Sequence, residues 1–387
     1  MNIGKDKITY LDNNATTQIA PEVVEAMLPF LTEFYGNPSS SYRFGNQITL
    51  AIEKAREQVA ALIVADPREI IFTSCGTESD NAAIHSALIT QPGKKHIITT
   101  KVEHSAVKKQ TEYLESQGYE ITRLDVDSDG MISPDTLEAA IRPDTAIVSI
   151  MWANNETGVL FPVEQFAEVC KKKNVLFHTD AVQAVGKIPI NMAANKIDML
   201  SLSGHKLHCP KGVGVLFVRK RVNFKPYSIG GGQERGKRGG TENVASIVAL
   251  GKACELALHL MDKENTEVRK LRDDLENGLK AAIPGVKING ESSPRLPNTI
   301  SIAIDGVEAD AILVNLDREG ICASSGSACT TGSLEPSHVL KAMGLSDEAA
   351  KGSIRLSLSV YNQRKDIDQA LEALPRIISK LRTPVPA

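Results

Sequence analysis

The sequence predicts an α/β protein in which a mostly parallel sheet is flanked by helices and a smaller α/β domain is attached. Three observations carry that expectation. Between about residue 60 and residue 220, short β-rich apolar runs alternate with helical patterns, and Gly, Asn, Asp, Ser or Thr closes each run. Several of these runs are apolar almost throughout, as strands covered by helices on both faces must be. After Asn265 the pattern changes to a charged amphipathic helix followed by separated strands and a further helix, which marks a second unit.

Taken in order, strands are expected at residues 69–73, 96–100, 146–152, 175–179, 199–202 and 213–218. A glycine-rich stretch, 230–240, then leads into a long helical pattern over 241–261 that can bridge two domains. Beyond it lie a strand near 298–303, a helix near 309–319 and a Ser/Gly-rich stretch over 324–333. The expected division is a large domain of residues 16–262 and a small domain built from 1–15 and 263–387. No internal repeat is visible, so solenoid architectures drop out.

Composition narrows the function classes. The 387 residues are 42% hydrophobic and 24% charged, enough apolar material for a sizeable core. Lys plus Arg (44) nearly balances Asp plus Glu (47), so no global positive field exists to hold nucleic acid or an anionic membrane. No run reads as a membrane span and the first residues carry no apolar signal core, so a cytoplasmic protein is expected. Six cysteines, Cys75, Cys170, Cys209, Cys254, Cys322 and Cys329, are scattered without a C-x-x-C pair. That usage fits a reducing compartment, with most of them buried as small hydrophobes.

Chemistry is suggested where polar residues follow apolar runs. Ser203, Gly204, His205 and Lys206 follow the run ending at 202, and a lysine just past a strand end can form a Schiff base with a carbonyl compound. A solvated loop lysine is the commoner case, so this one needs partners. Asp180 closes another run and can pair with a cationic ring nitrogen such as that of pyridoxal phosphate, although strand-end Asp is more often a turn residue. Gly76 and Thr77 open a helix after the strand ending at Thr73, where free N–H groups can hold a phosphate or simply be capped. Cys329 sits among serines and glycines with no apolar bracket, a setting that favours reactivity, whereas Cys322 reads as a strand-packing thiol.

Together these residues resemble the pyridoxal-phosphate-dependent cysteine desulfurases, most closely the nitrogenase-associated type that supplies sulfur for iron-sulfur clusters. The likeness runs from the segment 10–17 (Tyr-Leu-Asp-Asn-Asn-Ala-Thr-Thr) to 354–357 (Ile-Arg-Leu-Ser). Between them, 73–79, 102–104, 152–158 and 178–183 match in order. The long Ser/Gly-rich stretch around Cys329 places the chain with the long-loop branch. Two positions depart from the family pattern, Tyr42 where His is usual and Cys209 where a small residue is usual.

The resemblance implies a fold type I pyridoxal-phosphate enzyme, a homodimer, that turns L-cysteine into L-alanine. By it, Lys206 would hold pyridoxal 5'-phosphate and later move the α-proton, Asp180 would pair with the ring nitrogen, and Gln183 would hydrogen-bond the ring oxygen. His104 would stack on the ring and serve proton transfer at the substrate thiol. Gly76, Thr77, Ser203 and His205 would bind the phosphate, joined by Thr241 from a second subunit. Asn155, also beside the cofactor, and Arg355 would hold the substrate carboxylate. Cys329 would take the sulfur as a persulfide for a sulfur acceptor such as an iron-sulfur scaffold protein, with nitrogen fixation one setting.

Competing readings differ in one feature each. Aminotransfer, β-elimination and selenocysteine lysis could use the same lysine and cofactor without a mobile cysteine, so Cys329 discriminates. A metal site is suggested by His205, His208 and Cys209, but no second ligand cluster with good spacing accompanies them, and no metal is expected. The glycines of 230–240 lack G-x-G-x-x-G spacing and read better as a subunit contact than as a dinucleotide loop.

Overall fold

A computed structural model describes residues 8–325 and 335–382. The first strand, β1 (Thr9–Tyr10), lies outside the main sheet. That sheet is built from β2 (Ile70–Thr73), β3 (His96–Thr100), β4 (Glu120–Leu124), β5 (Thr145–Ser149), β6 (Leu176–Asp180), β7 (Met199–Ser203) and β8 (Gly214–Val218). Their order is β2-β8-β7-β6-β5-β3-β4, and β8 alone runs against the rest. Six carboxyl ends therefore open on one side, the side where open α/β sheets bind ligands.

The expected strands are all present, with two differences. β4 was not anticipated, because at the sheet edge its side chains are mostly half-exposed and its apolar signal is weak. The run expected to be a strand over 146–152 leaves the sheet after Ser149, yet Ile150 N and Trp152 N still donate to the carbonyls of His178 and Asp180 at 3.2 and 2.8 Å. That extension carries Met151 and Ala153 to the ligand side.

The long helix runs over Val244–Lys263 and packs on the Arg43–Leu62 helix. Their approach needs a glycine: a Cβ on Gly251 would lie 2.6 Å from Ala55 Cα. The helical stretch Val244–Ala282 contains an 18-residue window apolar enough to cross a bilayer, where the sequence reading expects none. In the fold 44% of that window is buried, with Ala249, Leu250, Ala253 and Cys254 in the core, so packing against other helices accounts for that part of its apolar pattern.

A second sheet, β12-β13-β10-β9, is antiparallel and comprises β9 (Lys287–Ile288), β10 (Thr299–Ala303), β12 (Ser324–Ser325) and β13 (Ser353–Ser357). β1 pairs in parallel with β11 (Ile321–Cys322). A distinct hydrophobic cluster forms here, joining Leu11 to Leu275, Ile300, Ile354 and Leu374. The amino-terminal segment is stitched to β13, with Asn13 N donating to Ser357 O at 3.1 Å and Asn14 N to Ser357 Oγ at 2.9 Å.

Candidate active site

The carboxyl ends of the main sheet, the amino-terminal segment and β13 enclose a cavity of about 260 Å³. Of the site residues expected from the sequence, all but Thr241 and Cys329 line it. Cys329 lies outside the described residues. Thr241 is exposed on this chain and does not reach the chain's own cavity. The glycine-rich stretch before it is tied to the sheet by Glu234, which is buried against Arg56 (2.7 and 2.8 Å) and accepts from Phe72 N at 2.9 Å.

Asp180 ends β6 inside the cavity wall. Its Oδ1 accepts from Val182 N at 2.9 Å. Burial pushes its pKa up, opposed by the nearby His104 and Lys206. A carboxyl in that setting calls for a cationic partner. On the adjoining strand end, Lys206 sits in the single turn Gly204–Lys206 after β7, and its Nζ donates to the carbonyls of Asn14 and Ala15 at 2.6 and 2.7 Å. Gln183 Nε2 donates to the same Asn14 carbonyl at 3.0 Å.

His104 caps the Ser105–Ser116 helix, its Nδ1 accepting from Ala106 N at 3.2 Å. When the ring is neutral its proton is therefore on Nε2. His205 Nδ1 lies 3.2 Å from Thr16 Oγ1, and burial, helped by the Lys206 charge, brings its pKa down to about 4. It is a neutral ring at neutral pH. The Gly76–Ile89 helix starts at the cavity with Cys75 as an extended N-cap that makes no side-chain capping bond. Its first N–H groups thus keep the anion-binding capacity of a helix start. A Cβ on Gly76 would come within 2.8 Å of Val182 Cγ2, so this approach also requires glycine.

Asn155 is presented by a turn that Asn154 organises: Asn154 Oδ1 accepts from Glu156 N and Thr157 N at 2.9 and 3.0 Å. Arg355 enters from β13, where it pairs in register with Ser324 of β12.

Several cavity-lining positions carry no readable signal in the sequence. Asn14 and Ala15 contribute backbone carbonyls, which leave no residue-type signal. Asp80, one turn into the Gly76–Ile89 helix, lines the cavity fully buried. Burial, with the field of Asp180, pushes its pKa far up. Its Oδ1 is 3.6 Å from His178 Nε2 and makes no hydrogen bond. Burial drops the His178 pKa to about 3, so this is a contact between an acid and a neutral ring.

Cys170, Cys209 and Cys254 are buried as expected, whereas two cysteines depart from that reading. Cys75 is half-buried in the cavity wall rather than packed in a core. Cys322 on β11 is likewise only half-buried. Cys209 is buried beside Gly204, and Tyr42 lies exposed at the start of the Arg43–Leu62 helix, so neither departure from the family pattern lines the cavity. Among the described residues no three of His, Cys, Asp and Glu converge as a metal site. His208 Nδ1 instead faces the Gln18 carbonyl at 2.8 Å.

A lysine and a buried aspartate on adjacent strand ends, an uncapped helix start between them and an arginine facing them define the class: a pyridoxal-phosphate enzyme of the aminotransferase type. The chain belongs to the aminotransferase class-V family, whose pattern matches residues 9–370. It is 56% identical over 375 residues to a cysteine desulfurase of a Nostoc species, covering 97% of this chain and 94% of that one. It is 53% identical over 378 residues to the cysteine desulfurase NifS of Azotobacter vinelandii, with the same coverage. A solved NifS-like protein superposes with a TM-score of 0.89 at 40% identity, covering 97% of this chain and all of its own.

The residues present fit pyridoxal 5'-phosphate. The helix start at Gly76 matches a phosphate dianion, the buried Asp180 carboxyl matches a protonated ring nitrogen, and the Lys206 amine matches an aldehyde.

Proposed function

We propose that the protein is a cysteine desulfurase that converts L-cysteine to L-alanine and passes the sulfur to Cys329 as a persulfide, for iron-sulfur cluster assembly. The observation that carries this reading is the convergence of Lys206, Asp180, His104 and Arg355 on one cavity. The more than 50% identity to named cysteine desulfurases over nearly the whole chain supports it.

Bound there, pyridoxal phosphate supplies an electron sink that acidifies the substrate α-carbon. Gly76, Thr77, Ser203 and His205 hold the phosphate, and Thr241 of a second copy adds a hydroxyl from across a homodimer interface. Asp180 keeps a proton on the ring nitrogen. Gln183 would hydrogen-bond the ring oxygen, and His104 would pack against the ring. Arg355 and Asn155 orient the substrate carboxylate. The Lys206 amine takes the α-proton and returns a proton. The Cys329 thiolate attacks the substrate sulfur, a sulfur-sulfur bond forms as the carbon-sulfur bond breaks, and the carbon gains a proton to leave as alanine. His104 Nε2 handles the substrate thiol proton.

In the same reading the large domain spans 16–262 and the small one joins 1–15 to 263–387, supported by the packing of Leu11 among Ile300 and Ile354. The cytoplasm is the proposed compartment and a scaffold protein the proposed acceptor. The NifS name among the relatives favours a role in nitrogen fixation. The test is incubation of the holoenzyme with L-cysteine and a thiol reductant. Alanine and sulfide in equal amounts are expected, and none from Lys206→Ala, which should lack visible cofactor absorption. Pyruvate with ammonia, or a keto acid, would overturn the assignment in favour of elimination or aminotransfer.

A further inference from the structure

The Gln183 amide has a single orientation. Its Nε2 donates to the Asn14 carbonyl at 3.0 Å and its Oε1 accepts from Lys187 Nζ at 3.4 Å. A carbonyl only accepts and an ammonium only donates, so a flipped amide would set acceptor against acceptor and donor against donor. Lys187 also donates to the Gln183 backbone carbonyl at 3.1 Å. Among the described residues, both side-chain hydrogen bonds of Lys187 thus go to Gln183.

Lys187 is an unusual residue to spend on that task. It is 6% exposed, and burial brings its pKa down to about 8 against the opposing field of Glu264. Glu264 is itself buried, with its pKa pushed up to about 7 by burial against the Lys187 charge. Burying such a pair is costly, and hydrophobic replacements are often as stable. Its surroundings are built to keep it in place. Glu264 opens the π-turn Glu264–Val268 between the long helix and its continuation, and the next residue, Asn265, donates from Nδ2 to the Lys187 carbonyl at 3.0 Å. π-turns inserted in α-helices are frequently found at functional sites. Gly186, at φ +77°, lets Leu207 close in: a Cβ there would meet Leu207 Cδ2 at 2.3 Å. Lys187 and Glu264 lie off the main cavity and share with Lys206 a smaller one of about 40 Å³.

We propose that Lys187 is a positioning residue that locks the Gln183 amide with its NH2 group turned to the ring oxygen of the bound cofactor. It does so by occupying Oε1, which leaves the second Nε2 hydrogen for the ring. The inference rests on the proposed contact between Gln183 and that oxygen, and its test separates the two.

The pH midpoint of the cofactor's visible absorption is measured on holoenzyme for wild type, Gln183→Ala, Lys187→Met and the double variant. Gln183→Ala should move the midpoint, Lys187→Met should move it the same way by at least half as much, and the double variant should move it no further than Gln183→Ala alone. A Lys187→Met midpoint equal to wild type, or shifts that add in the double variant, would overturn the role of Lys187 alone. An unmoved midpoint in Gln183→Ala would overturn the Gln183 contact and this proposal with it. If Lys187→Met does not fold because Glu264 is left unpaired, Lys187→Met/Glu264→Gln takes its place against Glu264→Gln, with the same two outcomes.

Discussion

Arg355 Nη2 and Asp12 Oδ1 meet at 2.8 Å, and the other terminal nitrogen of the same guanidinium donates to the Asn155 carbonyl at 2.9 Å. Arg355 is 2% exposed and its Nε makes no hydrogen bond. The guanidinium plane is therefore fixed before any substrate arrives, and the compact ammonium of a lysine cannot span these two contacts and also present a planar fork to a carboxylate. Arg355→Lys should raise KM for L-cysteine at least tenfold and Arg355→Leu further, with the visible cofactor absorption unchanged in both. Steady-state kinetics beside absorbance spectra would check the split, and an unchanged KM would remove Arg355 from the substrate site.

Two cysteines can be told apart by the same spectra. Cys329→Ser should load cofactor and respond spectrally to L-cysteine while releasing less than about 1% of the wild-type alanine, since a hydroxyl is a far poorer nucleophile toward sulfur than a thiolate. Cys75 touches the cavity from the helix cap and is assigned no sulfur transfer, so Cys75→Ala should keep most of the activity. Sulfur trapped on Cys75, or normal turnover by Cys329→Ser, would reverse the assignment.

Glu103 predicts a pH signature in stability. It accepts from Thr100 Oγ1 at 2.7 Å and from Met151 N at 3.2 Å, yet burial raises its pKa from the usual 4.5 to about 8. The folded state holds this proton more tightly than the unfolded chain, so stability falls as pH rises from about 4.5 to about 8. The shift corresponds to roughly 4–5 kcal/mol over that window. Glu103→Gln cannot lose a proton. Its melting temperature should match wild type near pH 5 and exceed it near pH 8, which scanning calorimetry of the apoprotein at both pH values would test.

Thr241 predicts complementation between defective subunits. If it acts across a dimer, a mixed dimer of Lys206→Ala and Thr241→Val chains collects both defects in one site and leaves the other intact. If it acts within its own chain, both sites are damaged. Wild-type cofactor affinity in one site of each mixed dimer is expected, and its absence would reject the cross-subunit contact.

The chemistry at strand ends was legible because Asp180 and Lys206 are polar residues standing directly after apolar runs, and such breaks show in a single sequence. Asn14 and Ala15 were not legible as partners of Lys206, since they act through carbonyls that every residue carries and lie 192 and 191 positions away. Asp80 was hidden for another reason: a helical acid next to Ser79 reads as solvent-facing until the sheet covers it. The opposite sense of β8 was equally invisible, because an apolar run of five residues has no direction in its pattern.

The stitching of Asn13 and Asn14 to Ser357 sets an order on biosynthesis. A ribosome delivers residue 14 early and residue 357 near the end, and domains fold as their residues emerge. The Asn14 and Ala15 carbonyls find Gln183 and Lys206 on the main-sheet unit, whereas the ties from Asn13 and Asn14 to Ser357 wait until β13 is made. A nascent chain stalled before β13 would carry a finished main sheet whose pocket lacks the wall that Arg355 supplies.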